Sequence, residues 1–134
     1  GIVLDDDASD PMLRRTIRIS MGQVFRVPWA RVGTLGEAIP ELASTANIET
    51  IAIENLDEVT PLHRATFPER VMLVIGNEGH GIPPEILERC PNRIRIEGPS
   101  GLPSEEAPGG EDERSLNAAT AAAIALHAAL RPRD

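Results

Sequence analysis

Val71–Gly81 reads VMLVIGNEGHG and Arg114–Leu126 reads RSLNAATAAAIAL, and the fold turns on these two strings. In the first, the unbroken apolar run Val71–Ile75 predicts a central strand buried on both faces. It passes directly into Gly76, Asn77, Glu78, Gly79, His80 and Gly81, a glycine-bracketed turn whose backbone can approach a small ligand closely. Pro83 and Pro84 then suit a helix start, with Ile86 and Leu87 as its apolar side. In open α/β sheets, ligands bind beyond the carboxyl ends of strands, at turns of this kind. GNEGHG is not the GxGxxG of a dinucleotide site, no Lys-Ser/Thr pair follows it, and Glu78 would repel a phosphate. An acid beside open backbone amides suits a ligand carrying positive charge, such as a sulfonium or an amine. The alternative is a tight turn whose glycines only supply unusual backbone angles.

The second string predicts a helix from Ser115 to Leu130, with Leu116, Ala119, Ala123, Leu126 and Leu130 able to share one stripe. Ser115 is placed to cap it. Asn117, at the second position, gains little in helix propensity, so its amide is expected to hold a neighbouring loop or a ligand.

Upstream, Gly1–Leu4 is a short branched strand stopped by Asp5–Asp7, and a chain that starts in mid-strand suggests a cut before it. Asp10 and Pro11 resemble an N-cap and first helical residue, followed by Leu13, Ile17 and Met21 at helical spacing. Arg14, Arg15 and Arg18 occupy the other faces of that helix as a solvated or partner-facing side. Val24, Phe25 and Val27 fit a brief strand. Leu35, Ala38, Ile39 and Leu42 give a second helix, opened by Thr34 and interrupted or kinked near Pro40. Ile48–Ile53 reads as a strand, Asn55–Glu69 as loop or short helix, and Asn92–Ile96 as the last strand. The alternation of strands and helices implies an α/β domain, a mostly parallel sheet flanked by helices, spanning 1–134. Glu97–Arg114, rich in Gly, Pro, Ser and acids, is expected to be a flexible acidic loop.

Composition sets limits on function. With 134 residues the chain fits one domain that buries about two-thirds of its unfolded surface. One cysteine, Cys90, rules out an internal disulfide and fits a reducing compartment. No apolar run approaches the ~18 residues of a membrane span and no leader is visible, so a soluble cytoplasmic protein without membrane contact is expected. The formal net charge of −8 argues against a wholly basic nucleic-acid binder. Much of it sits in Glu97–Arg114, with six acids against one arginine. Every basic residue is arginine, which suits phosphate contacts and equally reflects a GC-rich genome. Phe25, Trp29 and Phe67 are the whole aromatic set, too few for a base-stacking surface. His63, His80 and His127 stand apart with no neighbour at metal-ligand spacing, so no metal is expected.

In this order, the strings resemble motifs 2 and 3 of the SpoU (TrmH-like) branch of the SPOUT methyltransferases, enzymes that methylate RNA ribose 2′-hydroxyls with S-adenosyl-L-methionine. Asp10–Pro28 also resembles the family's connecting segment, with Arg-x-Ser-Met-Gly at Arg18–Gly22. The resemblance implies an α/β trefoil knot, an exception to the rule against threaded chains. It also implies a homodimer and a structured ribosomal or transfer RNA substrate. Carried over by position, it makes Gly76, Glu78, Gly79, Ile96 and Leu116 cofactor-binding residues and places Ser115 and Asn117 at the methyl-transfer site. The family's first motif, which carries an Asn and an activating Arg, has no counterpart in this sequence. A second reading is therefore a non-catalytic knotted module for dimerisation or RNA assembly. Members of the family also follow the last strand with an Ile-Pro-Met-like turn and soon reach their Ser-Leu-Asn, whereas here Ile96 is followed by Glu97 and an insertion-like acidic loop up to Arg114.

Overall fold

A computed structural model describes residues 1–56, 58–97 and 116–131. The chain divides into two compact units, Gly1–Glu41 and Leu42–Asp134.

In the first unit, β1 (Ile2–Leu4) pairs in parallel with β2 (Trp29–Arg31), Ile2 opposite Trp29 and Leu4 opposite Arg31. Between them lies α1 (Arg14–Ile19). Asp10 does not cap it. The Asp10 carboxylate accepts from the Met12 amide at 2.8 Å, closing a local turn, and helical geometry begins only after Leu13. The helix also ends earlier than the Leu13, Ile17, Met21 spacing predicts. The Met21 N–H returns to the Arg18 carbonyl and the Gly22 N–H to that of Ile17, the double bond of a Schellman stop. This puts Met21 at φ +48° with its side chain 87% exposed. Gln23–Phe25 is a turn of 3-10 helix rather than a strand, and the strand comes after Pro28. The Arg31 guanidinium, at the end of β2, donates to the Asp5 and Ala8 carbonyls and fixes the loop leaving β1. The unit boundary falls within α2 (Leu35–Ala46), which runs through Pro40 without interruption. The Thr34 hydroxyl accepts from the Glu37 amide at its start.

The second unit is built on a four-stranded parallel sheet. Its strands are β3 (Glu49–Ile53), β4 (Thr60–Pro61), β5 (Val71–Ile75) and β6 (Asn92–Arg95), in the order β4-β6-β3-β5. β4, two residues long, lies in the stretch the sequence leaves as loop or short helix. Among the described residues of this sheet β5 pairs only with β3, so the interior strands are β3 and β6 rather than the expected Val71–Ile75, in which only Val74 is buried. Thr50, Ile51, Ala52 and Ile53 of β3 are all buried, and alternation sends them to both faces. Ile51, Ile53 and Ile94 form a core with Ala121 and Ala125 of α4 (Ala118–Ala129), which packs on β5. The short α3 (Pro84–Leu87) starts at Pro84 as expected and buries Ile86. The stripe predicted for α4 is displaced. Ala121 and Ala125 face the core, while Leu126 is 50% and Leu130 79% exposed. Small residues allow a helix to lie close to the sheet, so apolar size does not mark the inward face here. Among the described residues no helix is long and apolar enough to cross a membrane.

Candidate functional site

The parallel strands β3, β5 and β6 share one carboxyl end, and the segments leaving them converge there with the start of α4. After β5 the chain turns back on itself. The Asn77 N–H donates to the Gly81 carbonyl at 3.0 Å, and the Gly81 N–H donates to the Asn77 carbonyl at 2.8 Å. This closeness dictates Gly76, because a Cβ there would lie 2.2 Å from the Gly81 carbonyl carbon. Gly81 itself has φ +67°, a left-handed conformation that favours glycine. Gly79 meets neither demand. Its N–H donates to the Asn77 side-chain oxygen at 2.8 Å, and a Cβ would make an ordinary contact.

Glu78 crosses from the turn to the last helix. Its Oε1 accepts from the Asn117 side-chain amide at 2.5 Å and from the Ala118 backbone N–H at 3.0 Å. A carboxylate there also meets the positive end of the α4 dipole. Asn117 is the helix cap rather than an early helical residue. Its Oδ1 accepts from the amides of Ala119 at 3.0 Å and Thr120 at 3.2 Å. The amide expected to hold a loop or ligand thus holds the loop, through Glu78. Ser115, expected as the cap, lies outside the described residues, as do Arg114 and all of the acidic loop after Glu97. Glu97 itself contacts His63 Nδ1 and lies 4.0 Å from the Arg95 guanidinium.

Between these segments lies a cavity of about 70 Å³. Its apolar wall is Ile53, Ile75, Ile96, Leu116, Ala118 and Ala121. Its polar rim is Glu54, Asn55, Asn77 and Glu78, with no basic residue among the lining groups. Glu54 is the site residue that sequence reasoning missed. It follows β3, and its Oε2 accepts from the Ile82 N–H at 3.0 Å, which fixes the exit of the glycine turn. A cue existed, since an acid directly after an apolar strand falls at the ligand-binding edge of a parallel sheet. A larger open groove of about 900 Å³, bounded by Arg64, Cys90 and Arg93 among others, contains none of the motif residues. Cys90 beside it is 1% exposed. Burial pushes its thiol up, against smaller opposing effects of the Thr50 hydrogen bond and the Arg93 charge, so it is not a poised nucleophile at neutral pH. Among the described residues no group of three or more His, Cys, Asp or Glu is arranged to hold a metal ion.

Residues 1–127 match the model of the SpoU rRNA Methylase family. Over 130 residues the chain is 29% identical to an uncharacterised tRNA/rRNA methyltransferase of Mycobacterium bovis, covering 95% of this chain and 41% of that protein. A solved structure of an AdoMet-bound rRNA methyltransferase from Sinorhizobium meliloti superposes with a TM-score of 0.76 at 29% identity, over 96% of this chain and 44% of that one. A SpoU methyltransferase from Streptomyces viridochromogenes, solved with AdoMet, has the same fold at 23% identity and a TM-score of 0.76, over 96% of this chain and 46% of that one. The chain therefore spans less than half the length of these relatives.

Proposed function

The chain belongs to the SpoU rRNA Methylase family, and from that premise we propose that it supplies the S-adenosyl-L-methionine site of an RNA 2′-O-ribose methyltransferase acting on ribosomal or transfer RNA. The observation that carries this reading is the Glu78 bridge to Asn117 and Ala118, which assembles both motifs around one cavity. The lining fits the cofactor's chemistry. Its apolar walls suit the flat adenine ring, and a rim with two carboxylates and no cation tolerates a sulfonium and an amine while opposing a phosphate. At about 70 Å³ the slot is well below the roughly 300 Å³ of small-molecule sites, so it takes one part of the ligand.

When bound, the cofactor supplies an electrophilic methyl group. In the proposed assignment Ile96 and Leu116 flank the adenine, and Gly76 offers backbone groups at the end of β5. Glu78 and Gly79 shape the turn, and Asn117 and Ser115 support the transfer site. Glu78 acts as scaffold, because its Oε1 is committed to two N–H donors. The ribose hydroxyl must lose its proton as it attacks, which needs a group favouring the developing alkoxide. In the family that group is the arginine of the first motif, so activity is assigned to the whole protein and cofactor binding to this part. The protein is further proposed to be cytoplasmic, metal-independent and dimeric, one 1–134 methyltransferase domain with a knotted C-terminal segment. The exposed Leu126 and Leu130 on α4 offer apolar surface for a second copy.

Calorimetry with S-adenosylhomocysteine tests the reading. Binding is expected in the wild type and loss of it in Leu116→Asp, with the far-UV circular dichroism unchanged. Leu116 is exposed, so its replacement spares the core. Absence of binding both here and in a version as long as the relatives would overturn the cofactor assignment. Gly76 is unsuitable as the probe, because any side chain there collides with Gly81.

A further inference from the structure

Charge is segregated along this chain. Between Pro11 and Gly33 stand five arginines and no acid, within a protein whose formal net charge is −8. Arg31 is consumed internally by the Asp5 and Ala8 carbonyls. Arg14, Arg15, Arg18 and Arg26 are exposed and make no side-chain hydrogen bond or ion pair among the described residues. Three of them share the short helix α1. Arg14 and Arg18 are one turn apart and Arg15 is about 100° round from Arg14, so all three fall within roughly a third of the helix circumference. Together with Ile19 they bound one open depression of about 640 Å³.

Like charges at this spacing destabilise a helix, and no acid on α1 offsets them. A cluster of this kind is relieved by a polyanion. Guanidinium forks bind phosphate oxygens in pairs, and a nucleic-acid backbone presents phosphates in series. A membrane surface fits less well, since a six-residue helix is too short to lay an amphipathic face into lipid headgroups. We propose that Arg14, Arg15 and Arg18 form a phosphate-backbone docking surface for the RNA substrate, contributing affinity and orientation and no sequence choice. This inference rests on the reading of the protein as an RNA methyltransferase.

The test is fluorescence anisotropy of a labelled RNA hairpin against the wild type, the triple variant Arg14→Gln/Arg15→Gln/Arg18→Gln, and a control. The control, Arg70→Gln/Arg89→Gln/Arg131→Gln, removes the same charge from exposed positions elsewhere. The wild type and the control should share one slope of log affinity against log salt. The helix variant should lose about one unit of slope per arginine, so that the wild type weakens roughly 40-fold more than the variant between 50 and 200 mM salt. Equal slopes for the two triple variants would overturn the proposal, as would tighter binding of the wild type to phosphatidylserine vesicles than to RNA. Calorimetry with S-adenosylhomocysteine on the same three proteins separates the two ideas. Retained cofactor binding with equal slopes sinks the docking surface alone, whereas a reduced slope in the helix variant, with cofactor binding absent both here and in a version as long as the relatives, sinks only the cofactor reading.

Discussion

Asn117 serves two elements through one planar amide. Its oxygen caps α4 and its nitrogen engages Glu78 of the glycine turn. Replacement by alanine removes the cap and one partner of the carboxylate, with an expected loss of about 2 kcal/mol in urea unfolding. Aspartate is the sharper probe. It caps a helix as well as asparagine does, yet here it would set a second carboxylate against Glu78. Asn117→Asp should therefore be less stable than the wild type at pH 7, and Glu78→Gln in the same protein should restore much of the difference. Equal stability of Asn117→Asp and the wild type would show that the bridge contributes nothing. The sequence marks Asn117 and Glu78 as unusual, by low propensity in a helix and by an acid in a turn. That the two meet was not legible, because 39 positions separate them. Glu54 was less legible still. Its role depends on the Ile82 amide, which arrives beside it only once β3 and β5 have paired.

At the level of elements, apolar pattern marks where the longer strands and the last helix lie, though not how deeply each is buried. Ile48–Ile53, Val71–Ile75 and Asn92–Ile96 correspond to β3, β5 and β6 within a residue, and the C-terminal helix is present. The pattern fails where backbone chemistry decides. The end of α1 is set by a Schellman stop that places Met21 in the left-handed region, although its spacing from Ile17 suits a helix. The Met21 side chain is exposed, so packing does not compensate for the strain. Met21→Gly should raise stability by about 1 kcal/mol in chemical denaturation, against the usual penalty for introducing glycine. A loss of stability would mean that Met21 makes contacts worth more than the strain. β4, with Pro61 as half its length, carries no pattern from which a strand could be read. Strand order was equally beyond reach, since a five-residue apolar run does not reveal how many neighbours it has.

Across the molecule, burial is unevenly distributed. No residue from 1 to 33 is buried, whereas β3 is buried along four of its five positions. Hydrogen-exchange mass spectrometry should accordingly find the slowest amides in 49–53 and much faster exchange in 2–33, because protection follows local packing. Similar protection in both regions would contradict that gradient. At this scale the described residues hold one cysteine, which is buried, and no helix long and apolar enough to cross a membrane, while along the sequence the acids concentrate away from the arginine-rich stretch. The Glu78 bridge also bears on the order in which the chain folds. A contact across 39 positions closes a long loop, and loop closure draws on entropy before the contact returns any. The turn after β5 can form by itself from neighbouring residues, but α4 gains its N-terminal anchor only after that turn exists. Folding should therefore cross its barrier with the sheet assembled and the last helix still undocked, so that weakening the bridge hastens unfolding and leaves the folding rate nearly untouched.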